Sequence, residues 1–97
     1  MHGLEFEWDP KKAQSNLDKH GVSFDEAKTV FSDDYARLIP DPDHSVGEQR
    51  FILLGASIHS RLIVVCHIEI DESLIRIISA RNADKIERQI YQGFRDA

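Results

Sequence analysis

The sequence predicts an α+β fold, an antiparallel β-sheet flanked by helices in the order β-α-α-β-β-β-β-α. Three observations lead there. The second half holds strand-like runs over residues 50–57, 61–70 and 73–79, joined by "IHS" and "DES" connections so short that only antiparallel hairpins close them. The first half holds two helix starts with capping residues. The chain then runs from the isoleucine-rich "IRIIS" into a stretch of helical period.

In chain order, "LEFEW" alternates apolar and acidic residues with period two and reads as a half-exposed edge strand. Asp9-Pro10 supplies an N-cap and a proline at the first helical position, and the helix from Pro10 to His20 stops at Gly21. Its apolar stripe is thin, Ala13 and Leu17. Ser23 and Glu26 have the spacing of a capping box for a second helix that buries Phe24, Ala27, Val30 and Phe31. A short strand from Tyr35 to Ile39 precedes a surface loop, "PDPDHSVGE", rich in turn formers. The last helix, about Ala80 to Phe94, buries Ala83, Ile86, Ile90 and Phe94. No repeat, low-complexity segment or linker interrupts the 97 residues, which suits one domain.

Charge is unevenly spread. Residues 1–48 carry eleven acids against five Lys or Arg, whereas residues 49–97 carry six acids against seven bases, six of them arginine. Arginine's planar fork matches phosphate oxygens in pairs, so a local anion site or a surface of ion pairs is expected. The net charge of −5 opposes nucleic-acid binding by the chain as a whole. No apolar run approaches the roughly 18 residues of a membrane span, and the start has no signal-peptide pattern, so the expected location is cytoplasmic. Cys66 reads as a small buried hydrophobe. The five histidines lack metal-ligand spacing, so neither a metal nor a cofactor is expected.

Strand alternation places the arginines. The even positions of residues 61–70 are all apolar and should face the helices, leaving Arg61, Ile63, Val65, His67 and Glu69 on an open side. Arg50 and Arg76 are expected to share that open face with His67, since a guanidinium is rarely buried without a partner. Arg81 falls at the strand-to-helix junction, a natural place for an anion. Pairs with Glu48 or Glu69 would account for Arg50, Arg61 and Arg76 without any function, and the basic side of the last helix, with Lys85 and Arg88, would serve equally as a solvated surface. His20 suits a helix C-cap or a proton-transfer group.

Several strings together resemble the BrnT family of type II toxin–antitoxin toxins: "FEWDPKKAQSNLDKHGVSFDEAKTVF", the E-x-R of Glu48 and Arg50, Gly55, and "IRIISARNADKIERQIY". The resemblance runs from Phe6 to Tyr91. It implies a RelE-like fold and a ribonuclease that halts translation without a metal. It also implies a BrnA-like antitoxin with a ribbon-helix-helix part in a hetero-oligomer, reaching operator DNA only through that antitoxin. In such an enzyme a base takes the proton of the RNA 2′-hydroxyl, which attacks the adjacent phosphate while arginines stabilise the charge. Arg50 and Arg76, then Arg81, are the expected phosphate stabilisers. Lys19, His20, His67, Glu48 and Tyr91 are the options for proton transfer, and Arg61, His67, Lys85 and Arg88 are expected to contact RNA. The alternative is an inactive homologue that binds the antitoxin and supports operon repression.

Overall fold

The structure, a computed structural model, describes residues 3–40 and 49–96. Most of the segment read as a surface loop, with Glu48, lies outside the described residues. The elements are β1 (Glu5–Glu7), α1 (Pro10–His20), α2 (Phe24–Thr29), a 3₁₀ turn (Val30–Ser32), β2 (Arg37–Ile39), β3 (Phe51–Ala56), β4 (Leu62–Glu69), β5 (Leu74–Asn82) and α3 (Lys85–Arg95).

The five strands form one sheet in the order β1-β5-β4-β3-β2. The sheet is not wholly antiparallel: β2 to β5 are, but β1 runs parallel to β5 at the edge. Helices α1 and α2 return the chain from β1 across one face, and such a crossover is what a parallel pair requires.

Nor are the helices gathered on one face. Val22, Phe24, Ala27 and Val30 pack on Leu53, Ile63, Val65, Ile75 and Ile77. On the other side Tyr91 and Ala83 pack on Ile52, Leu54 and Val64. Both the even and odd sets of β4 are therefore covered, because each set is apolar enough to recruit a layer. His67 goes with the odd set and is buried, 1% exposed, between Phe31 and Phe51 with ring centroids 4.8 and 5.9 Å away. It does not share a face with Arg50 and Arg76.

α1 forms as its caps predict. Asp9 accepts from the Lys11 N–H, and Gly21 takes φ 69°, a left-handed turn that favours glycine. Its attachment, however, is polar. Leu17 stays 42% exposed while Asn16 is buried. The Asn16 amide donates to Val22 O and Ala80 O, and its Oδ1 accepts from the Ala80 N–H, all at 2.8 to 3.0 Å. β1 pairs with β5 only as far as Arg76, so past that point Asn16 stands in for a neighbouring strand and satisfies the exposed edge.

The capping box read at Ser23 is half made. Ser23 Oγ accepts from the Glu26 N–H at 3.0 Å, but the Glu26 carboxylate turns to Ser57 Oγ at 2.6 Å and to the Arg61 guanidinium. The complete box belongs to Asp84 and Glu87 at the start of α3. Gly55 is required by close packing: a Cβ there would lie 2.8 Å from Val30 Cγ1 and 2.9 Å from Ala36 Cβ.

Candidate functional site

β5 is longer than the sequence suggests, reaching Asn82, so Arg81 is a strand residue and not part of the junction with α3. The pairing with β4 also shifts. His67 faces Ile77 and Cys66 faces Ser79, leaving Ile78 as an extra residue in β5. This bulge reverses the facing that strict alternation would give every residue after it. Arg76, opposite Ile68, and Arg81, opposite Val64, consequently lie on the same side of the sheet, the side that carries α3.

On that side a groove of about 400 Å³ lies between β3–β5 and α3. Ile52, Cys66 and Ser79 stand abreast across three strands as its floor. Ile39 and Ile90 form walls, and Arg50, Arg81 and Glu87 bring charge to it. Cys66, expected in the core, is only half-buried here.

Arg81 is held by a two-pronged contact in which Nη1 and Nη2 donate to the two Glu87 oxygens, each at 2.8 Å. Glu87 Oε1 also accepts from the Asp84 N–H at 2.9 Å. Its hydrogen bonds with Arg81 lower the Glu87 pKa and, reciprocally, raise that of Arg81, so both remain charged. The planar donor fork is thereby fixed at the edge of the groove.

Arg76 lies outside the groove. It pairs with Glu7 at 2.5 Å, and both side chains are well exposed. Beside the pair, Trp8 and Lys12 line a separate hollow. The described partner is thus β1's Glu7 and not Glu69, because the parallel register sets Glu7 directly beside Arg76.

The other residues singled out from the sequence divide by position. Arg61 pairs with Glu26, and its Nη2 also donates to Gly21 O at 3.2 Å, at the corner where α1 meets α2. Lys19 and His20 end α1 on the face opposite the groove. Lys85 and Arg88 are exposed on α3, and Arg88 Nη1 donates to Ala83 O at 2.8 Å. Tyr91 is buried, and its hydroxyl donates to Asp33 Oδ2 at 2.7 Å. Burial together with this carboxylate pushes the Tyr91 pKa up to about 12. Asp33 has no counterpart in the sequence reading; it also accepts the Ala56 and Tyr35 N–H groups. Among the described residues, no three His, Cys, Asp or Glu converge as a metal site. No described helix is long and apolar enough to cross a membrane.

The family of the "Ribonuclease toxin, BrnT, of type II toxin-antitoxin system" matches residues 8–87. The chain belongs to the BrnT family. The fold agrees with this assignment. The crystal structure of the Brucella abortus ribonuclease toxin BrnT, at 1.1 Å resolution, is similar with a TM-score of 0.65 and 24% identity, over 84% of this chain and 99% of that one. A comparison with curated proteins finds no match. The family is one of ribonuclease toxins, and its systems pair each toxin with an antitoxin. Among the described residues of this BrnT-family chain, Arg50, Ser79, Arg81 and Glu87 are the polar residues that the fold assembles around one groove.

Proposed function

We propose that this chain is an endoribonuclease that cuts single-stranded RNA in the groove between β3–β5 and α3, and so inhibits translation. The observation that carries the reading is the placement of Arg50 and Arg81 along one groove with an apolar floor, Arg81 being locked in its fork by Glu87. Arginines so placed suit neighbouring phosphates of one strand, and the low-dielectric floor strengthens their effect on charge that develops during reaction. Arg76, on the same face, serves a flanking phosphate.

The reaction we propose is metal-independent transesterification. A base takes the 2′-hydroxyl proton and the 2′-oxygen bonds to phosphorus. The bond to the 5′-oxygen then breaks, and that oxygen receives a proton, leaving a 2′,3′-cyclic phosphate and a free 5′-hydroxyl. Arg50 and Arg81 stabilise the pentacoordinate phosphate. We assign proton removal to Glu48, two residues before Arg50 in sequence; Lys19, His20 and His67 lie across the sheet from the groove, and the Tyr91 hydroxyl is engaged by Asp33. A BrnA-like antitoxin with a ribbon-helix-helix part neutralises the chain and carries it to operator DNA. In this reading the chain acts in the cytoplasm on a RelE-like scaffold.

The test is cleavage of a single-stranded RNA by the purified chain. Arg50→Ala and Arg81→Ala should each lower the rate by about 10²–10³, Glu48→Gln should do likewise, and Arg76→Ala should act more weakly. Unchanged cleavage in both Arg50→Ala and Arg81→Ala, with native circular dichroism, would sink the assignment. A second reading draws on the pairing of Arg81 with Glu87 and of Arg76 with Glu7, which offsets charge needed for phosphate. It makes the chain an inactive module that only holds its antitoxin, and it predicts a stable complex with no cleavage by the wild-type protein.

A further inference from the structure

α3 is strongly amphipathic, yet the face it buries is not its apolar stripe. Ile86, Ile90 and Phe94, at spacing i, i+4 and i+8, remain 68%, 39% and 45% exposed, while Tyr91 alone of the helix is buried. Tyr35, 45% exposed, adds to this apolar surface beside α3, with Arg95 5.3 Å over its ring. Ile90 also walls the groove, so stripe and groove are continuous. Along this surface Arg37 lies 4.4 Å over the Phe94 ring, and Arg50 and Arg81 line the groove with Glu87, which pairs with Arg81, as the carboxylate among the described residues there. Among the described residues, Arg37, Arg50 and Arg81 outnumber Glu87 around this apolar strip, on a chain of net charge −5.

We infer that this strip and groove are the seat of the antitoxin, which lays an amphipathic acidic segment along α3. Its apolar side chains cover Ile86, Ile90 and Phe94, and its carboxylates meet Arg37, Arg50 and Arg81. An RNA strand gains little from isoleucines at helical spacing, whereas a partner helix reads them as anchors. The inference rests on the toxin–antitoxin reading above and extends it: the segment that covers the stripe also fills the groove, so binding and inhibition are one event.

The experiment uses the full chain co-expressed with the polypeptide encoded by the adjoining reading frame. The variants are Ile86→Asp with Phe94→Ser, and separately Arg37→Glu. Both should weaken the complex, the double variant by about 100-fold, while the purified variants still cleave single-stranded RNA at the wild-type rate. A complex of undiminished affinity in both variants overturns the inference, as does failure of the wild-type chain to bind that polypeptide. It is also overturned if the wild type sediments as a self-dimer that the double variant abolishes. Absence of cleavage by the wild-type chain, with the complex still lost in the variants, overturns the nuclease reading and leaves the docking surface standing.

Discussion

Arg76 and Arg81 lie on one side of the sheet although they are five positions apart, because Ile78 is an extra residue in β5. In an unbroken strand, residues five apart point to opposite faces. The bulge lets Ile75, Ile77 and Ala80 all enter the α1–α2 core while both arginines turn to the α3 side. Deleting Ile78 should then remove the irregularity without moving either arginine to the other face. The expected variant folds, by circular dichroism, and still cleaves RNA. Inserting one residue after Ile78 should instead reverse one arginine or the core residues, and is expected to give an unfolded or inactive chain.

Arg61 and Glu26 form the most enclosed ion pair among those described, with the Glu26 side chain 6% exposed and that of Arg61 41%. Hydrogen bonding from Arg61 lowers the Glu26 pKa despite the burial. Arg61→Ala leaves a buried carboxylate with Ser57 as its remaining side-chain donor, and should cost about 1–3 kcal/mol in urea denaturation. Cleavage by the folded protein should change little, since the pair lies across the sheet from the groove. A large loss of cleavage without loss of stability would return Arg61 to the site.

His67 makes stability depend on pH. Burial lowers its pKa, outweighing the opposing contact with Val65 O and the charge of Glu69. The folded state therefore binds its proton less readily than the unfolded chain, whose histidine titrates near ~6.5. The contribution is full above that value and is lost as pH falls below it toward the folded pKa. Melting temperature should decline over this acid range in the wild type, and His67→Phe should flatten the decline. An equal slope in both proteins would show that His67 is not its source.

Tyr91 ties α3 to the sheet through Asp33, which also takes the Ala56 and Tyr35 N–H groups. Burial raises the Asp33 pKa, but these three donors together bring it below its usual value, so Asp33 stays a carboxylate at neutral pH. Tyr91→Phe should cost about 1–2 kcal/mol and speed amide hydrogen exchange in α3 more than in β4. Uniform exchange across the chain would mean that the hydrogen bond does not hold the helix locally.

Much of this protein could be read along the chain. The caps at Asp9 and Gly21, the hairpins around residues 58–60 and 71–73, and the shared face of Arg50 and Arg76 each depend on neighbours in sequence or on strict alternation. Three features depended on partners far away. Asn16 is buried only because β1 is too short to cover β5. The apolar stripe of α3 is exposed because Tyr91, bound to Asp33 from 58 residues earlier, fixes the rotation of the helix. His67 and Arg50 part company because two helical layers cover two apolar faces of one strand. By itself the sequence determined the mixed α+β class, most of the helices and strands, and the family. The tertiary structure decided which arginines share a groove, because a one-residue bulge shifts the register and no local pattern records it.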